Sequence, residues 1–235
     1  MTTTTCPSFV DLRAFADGAV AGADPFGADA LPLALRGGPV AIAAHALQPG
    51  GGRATSDAGD TFAIVARGGV ALTIAGVSHT LAEGDALVIA PGQAFDWTSP
   101  DGATLITMRY TGGMGGDGAA VRIDTATTRA PSGAPLAELL IGPTPQCHNH
   151  TQFLSTDGEF MVGVWDSSPY HRRAMPYRHF ELMYLVDGSV TFVDEAGRAG
   201  TFAKGDIFLV EQHAQCSWES REDVTKIFAI YRPKA

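Results

Sequence analysis

Charge is scarce in this chain, and what there is leans negative. Charged residues make up 17% of the 235 positions, with 16 Lys and Arg against 25 Asp and Glu, for a formal net charge of −9. Phosphate binding needs clustered cations, and the arginines here are scattered, so a nucleic-acid partner is excluded. The same sign disfavours an anionic membrane surface. Cysteine is sparse and odd in number: Cys6, Cys147 and Cys216 stand far apart, giving neither a disulfide framework nor a paired zinc-ligand spacing. No apolar run approaches the roughly 20 residues a spanning helix needs. Met1–Thr5 also lacks the basic and apolar regions of a secretory leader. Together these absences lead us to expect a cytoplasmic protein with reduced thiols and no membrane or nucleic-acid partner.

Long helical periodicity is missing too, while glycine (28) and proline (14) are plentiful and separate short apolar runs. ALTIA, DALVIA, TLITMRY, LMYLV, VTFV, DIFLV and KIFAIY read as strands bounded by Gly, Asp, Pro and Ser. A short helix is expected within residues 8–20. The reading is all-β, with about eight strands per half, and many antiparallel strands bury one face and protect their edges best as a jelly-roll barrel.

The two halves are copies of one another. Thr61–Tyr110 aligns with Glu181–Tyr231: Gly68 meets Gly188, Gly84-Asp85 meets Gly205-Asp206, Trp97 meets Trp218, and Tyr110 meets Tyr231. The offset is 120 residues up to the first glycine and 121 from the second onward. The gained residue falls at a turn, Ala75-Gly76 in one copy and Glu195-Ala196-Gly197 in the other, where length changes cost least. Upstream, VAIAAHALQPGGGR and FMVGVWDSSPYHRR continue the match. GGMGGDG at residues 112–118, followed by the Pro-containing TRAPSGAP, places the boundary between domains 1–118 and 119–235.

The spacing Glu181, six residues, Gly188, and then Gly205-Asp206 followed by apolar residues resembles the two motifs of the cupin superfamily. The second half is more particularly similar to the subfamily that includes ethanolamine-utilisation proteins and ureidoglycine aminohydrolases. That similarity rests on GVWDSSP (163–169), FELMYLVDGSVTFVDEAG (180–197), GDIFLV (205–210) and SWESREDVTKIFAIY (217–231). The resemblance implies a bicupin: two tandem jelly-roll barrels with a few short helices. Metal-binding cupins hold a divalent ion such as Mn, Fe, Zn or Ni with three histidines and a glutamate. Glu181 stands at the motif glutamate. The paired histidine positions fall on Ala174 and Pro176, or on Met175 and Tyr177 in the alternative spacing. The late histidine falls on Cys216, and Ser220 stands at the motif asparagine. Only His179, Glu181 and Cys216 remain as weak metal candidates, so no metal site of the family kind is expected.

Period-two alternation puts His179, Glu181 and Met183 on one strand face, and the motif register makes that face the barrel interior. A carboxylate there is either satisfied internally, by His179 or an arginine such as Arg173, or used for ligand binding or acid/base work. Trp165 and Tyr177 are expected to border a ligand. Cys216 is either buried filler or a pocket residue, and Trp218, recurring as Trp97, packs at the barrel mouth. The Cys147-His148-Asn149-His150 run lies too far upstream for the site and suits an edge strand. In the first copy Thr61, Gly59 and Phe95 replace Glu181, His179 and Cys216, so that barrel is expected to carry no cupin-site chemistry. The expected function is binding of a small polar metabolite in the second barrel without a standard metal site. The alternative is an enzyme of the ureidoglycine aminohydrolase type, with Glu181 and His179 catalytic. A homodimer is compatible with either.

Overall fold

The computed structural model describes residues 8–116 and 118–234, so Cys6 lies outside the described residues. Nearly all regular structure is strand. The short helix foreseen near the start is Leu12–Ala16, preceded by a three-residue strand, Phe9–Asp11. Contacts divide the chain into two compact units, each a curled jelly-roll of antiparallel sheets. The first barrel comprises Leu12–Ile123 with Gln152–Val162. The second comprises the described residues of three stretches: Met1–Asp11, Asp124–Thr151 and Gly163–Ala235. Phe9–Asp11 earns its place there by pairing antiparallel with Ile207–Val210 (Phe9↔Val210, Asp11↔Phe208).

Local sequence explains the strands. Ala94–Ser99 and Gln215–Ser220, equivalent in the repeat, alternate burial residue by residue, with Phe95 and Trp97 in one and Cys216 and Trp218 in the other turned inward. ALVI (Ala86–Ile89) and IFLV (Ile207–Val210) are buried on both faces, as unbroken apolar runs require.

The repeated glycines have a steric cause. In the first barrel the strand Asp60–Ile74 runs from one sheet into the other, its register slipping between Val65 and Arg67. Gly68 adopts φ 78°, and a Cβ there would lie 2.4 Å from the Gly102 carbonyl oxygen. Gly188 repeats this at φ 79°, with the Asp223 carbonyl 2.2 Å from a hypothetical Cβ, after a slip between Leu185 and Asp187. The Gly-Asp pairs are also structural: Asp85 and Asp206 each accept the backbone N–H three residues earlier, at 2.9 and 2.8 Å. The one-residue length difference falls at the hairpin turn. Ala75-Gly76 forms a two-residue turn with both φ angles positive, whereas Asp194 to Arg198 closes a longer one around Gly197.

Strand register aligns the two interiors rung by rung. Thr61↔Arg109, Ala63↔Thr107 and Val65↔Leu105 in the first barrel correspond to Glu181↔Ile230, Met183↔Phe228 and Leu185↔Lys226 in the second.

Candidate ligand site in the second barrel

Glu181 and Met183 face inward from the strand Phe180–Asp187, as alternation foresaw, and are buried. Lys226 enters from the neighbouring strand Val224–Tyr231, where it is the one charged side chain in a run otherwise almost wholly apolar. Its butyl arm spans two rungs. The ammonium donates to Glu181 Oε1 at 2.8 Å, lies 3.2 Å from Met183 Sδ, and sits over the rings of Trp165 and Trp218 at 4.7 and 4.9 Å. These rings meet edge to face at 5.9 Å, so the cation is boxed by two π faces, a thioether and a carboxylate. The second carboxylate oxygen, Oε2, accepts from His179 Nε2 at 3.1 Å, and the imidazole tilts against Tyr177 at 5.3 Å.

Burial alone would raise the Glu181 pKa. The Lys226 ammonium, followed by His179, outweighs it and holds the carboxyl well below the usual carboxylate range. Both charges of the pair have side chains only 8% exposed. A pair this dry is weak as net stabilisation but expensive to break by removing one partner.

A second group lies on the strand Tyr170–Pro176. Arg172 pairs across to Trp218 and is 4% exposed. Its guanidinium donates to Tyr177 Oη at 3.1 Å and to the Cys216 carbonyl at 3.4 Å, and lies 5.3 Å from the Tyr177 ring centre. Among the described residues no carboxylate lies within 4.0 Å of it. Burial pushes the Cys216 thiol up to about 12 and raises the Tyr177 phenol, so both are neutral.

The structure thus brings Glu181, His179, Met183, Trp165 and Trp218 together around Lys226, and Tyr177 and Cys216 around Arg172. Trp218 is a fully enclosed member of the barrel core, 2% exposed. Arg173, the arginine named as a partner for Glu181, is exposed. Sequence reading passed over Lys226 and Arg172, though each left a signal. Lys226 is a charge at the position of Leu105 in the other copy, and alternation from buried Tyr170 points Arg172 inward. His148 pairs with Asp166 at 2.8 Å, with Arg129 on the other oxygen.

The metal implied by the cupin resemblance does not fit this donor set. Both Glu181 oxygens are engaged, His179 spends Nε2 on one of them, and Cys216 is a protonated thiol. A lysine ammonium 2.8 Å from the Glu181 carboxylate repels a dication. Among the described residues no three His, Cys, Asp or Glu side chains cluster to hold an ion.

Residues 154–228 match the model of the EutQ-like cupin domain. The chain is similar over 97% of its length to a protein of unknown function of the DUF861 family from Pseudomonas syringae pv. tomato, covering 94% of that chain at 26% identity and TM-score 0.80. Protein Ylba from E. coli is 15% identical, with 99% of this chain and 94% of that one covered at TM-score 0.62. A salicylate 1,2-dioxygenase from Pseudaminobacter salicylatoxidans is 14% identical, with 98% and 85% covered at TM-score 0.59. The last two likenesses show the fold alone. No curated protein matches the chain.

Proposed function

We propose that this cupin-superfamily chain binds a small anionic metabolite in its second barrel without a metal, the protein supplying the cationic groups itself. One observation carries the reading: of the two cations buried in that barrel, Lys226 is paired with Glu181, whereas Arg172 meets only the Tyr177 hydroxyl and the Arg173 and Cys216 carbonyls. Lys226 is neutralised by Glu181. Arg172 has only neutral partners, and a buried guanidinium is stabilised far more by a carboxylate or phosphate, which it can grip bidentately. The neutral Tyr177 hydroxyl beside it adds a further hydrogen-bonding group. Residues 119–235 hold this site. In residues 1–118, Thr61 and Leu105 stand where Glu181 and Lys226 form their pair.

The enzyme reading of the ureidoglycine aminohydrolase type asks Glu181 to move a proton. With its basicity lowered and both oxygens occupied, it is neither a ready base nor a protonated acid at neutral pH, which favours binding over turnover. The dioxygenase among the structural relatives adds nothing on this point, because fold does not carry chemistry.

The test is ligand-induced stabilisation of the intact protein by small polar acids, including ureido acids, set against their neutral amides. The acids should raise Tm saturably in the wild type and lose at least tenfold in affinity in Arg172→Met, with no product by mass spectrometry. Equal stabilisation by acid and amide, or dependence on added Mn, Fe, Zn or Ni, would contradict it.

A further inference from the structure

We infer that the first barrel is a second binding site, shaped for a compact, mainly apolar monocarboxylate held at Arg109. The barrel holds a cavity of about 330 Å³ that opens to solvent, at the low end of the few-hundred-Å³ range of small-molecule sites. Its origin is visible rung by rung. Where the second barrel carries Met183, Phe228 and Trp165, the first carries Ala63, Thr107 and His45, all three of which line the cavity. Alanines at 41 and 43 on the neighbouring strand widen it further, and Leu72 and Ile89 give it apolar walls.

The polar groups sit at defined places. Arg109 lies on the rung between Ala41 and Thr61 and lines the cavity. It is held by Asp57 at 3.1 Å and the Ala58 carbonyl at 3.2 Å, but the Asp57 side chain is 68% exposed. Asp57 can therefore turn to water when a ligand carboxylate takes its place, with the Thr61 hydroxyl alongside. At the other end His45, 6% exposed, must donate from Nδ1 to the Pro25 carbonyl at 2.9 Å, since a carbonyl only accepts. That fixes Nε2 as the acceptor of the Thr107 hydroxyl at 2.9 Å. Burial lowers the His45 pKa and keeps the ring neutral. Phe26 stacks on His45 and meets Phe95 edge-on, both at 5.2 Å between ring centres, adding aromatic surface. The cavity therefore offers one cation, Arg109, with Asp57 beside it, the hydroxyls of Thr55, Ser56, Thr61 and Thr107, one neutral imidazole and otherwise mainly apolar side chains, a lining that suits a ring or short branched chain bearing a single carboxylate.

The experiment is calorimetric titration of the full-length protein with benzoate and cyclohexanecarboxylate, each against its primary amide. Saturable binding of the acids is expected, weakened at least tenfold by Arg109→Gln and by Ala63→Met, which puts the second barrel's side chain into the cavity. Arg172→Met should leave it unchanged, separating this site from the one in the second barrel. The inference is overturned if neither acid binds at millimolar concentration, if the amides bind as tightly, or if Arg109→Gln and Ala63→Met both leave the affinity intact.

Discussion

The two barrels share a backbone plan, down to the register slip and the glycine after it, yet fill their interiors in opposite ways. In the second, Glu181, Met183, Trp165 and Lys226 pack side chain against side chain around a buried ion pair. In the first, Thr61, Ala63, His45 and Leu105 occupy the equivalent positions and leave a hollow with its charge at the edge, on Arg109. Duplicating a jelly-roll preserves what the backbone needs, while the inward positions of three strands are free to trade volume and charge. The ionic barrel is the one whose integrity depends on a single partner; the hollow one has room to spare.

The largest expected effect breaks that dependence. Lys226→Leu leaves Glu181 buried with His179 as its remaining partner and should cost about 3 kcal/mol in denaturant unfolding, whereas Glu181→Leu combined with Lys226→Leu should lie within about 1 kcal/mol of wild type. The mirror exchange, Leu105→Lys, places an ammonium at a fully buried position with no carboxylate opposite and should cost about 3 kcal/mol. Smaller effects come from the first barrel. Asp60 is 0% exposed, and neither oxygen has a partner in hydrogen-bonding geometry among the described residues. Burial raises its pKa against the pull of the Gly115 amide. Asp60→Asn should therefore stabilise by about 1 kcal/mol at neutral pH. That gain should shrink as pH falls through the raised folded pKa, because the wild-type carboxyl then takes up its proton. Glu181 behaves in the opposite sense. Its folded pKa is depressed, so its contribution is complete above the unfolded value, about 4.3, and is lost as pH falls further. The stability gap between wild type and Glu181→Gln should be flat near neutrality and close only in stronger acid. Smallest of all, Ala63→Met fills part of a void and should change stability by less than about 1 kcal/mol in either direction.

Much of this architecture was legible in the sequence because it is local or repeated. The copies betray themselves through glycines, Gly-Asp turns and tryptophans, and alternation from His179 correctly turns Glu181 and Met183 inward. What escaped is non-local. Lys226 meets Glu181 only because a four-carbon arm crosses two rungs, a reach that period two does not encode. Arg172 and Arg173 are adjacent, and the irregularity between Arg172 and Met175 blurs which of them points in. Phe9–Asp11 is too short to announce its pairing with Ile207–Val210. The first-barrel hollow is a sum over small side chains on several strands, so single substitutions such as Thr61 for a glutamate suggest an emptied site where the assembled lining leaves a usable one.

The most direct test of the central claim is calorimetric titration of the wild type and of Arg172→Met with one small polar acid and its amide, in metal-free buffer. The account predicts saturable heat for the acid in the wild type, weakened at least tenfold in Arg172→Met with any remaining binding removed by Arg109→Gln, and none for the amide in either protein. Equal binding of the acid by both proteins, or heat that appears only when a divalent metal is added, would contradict it.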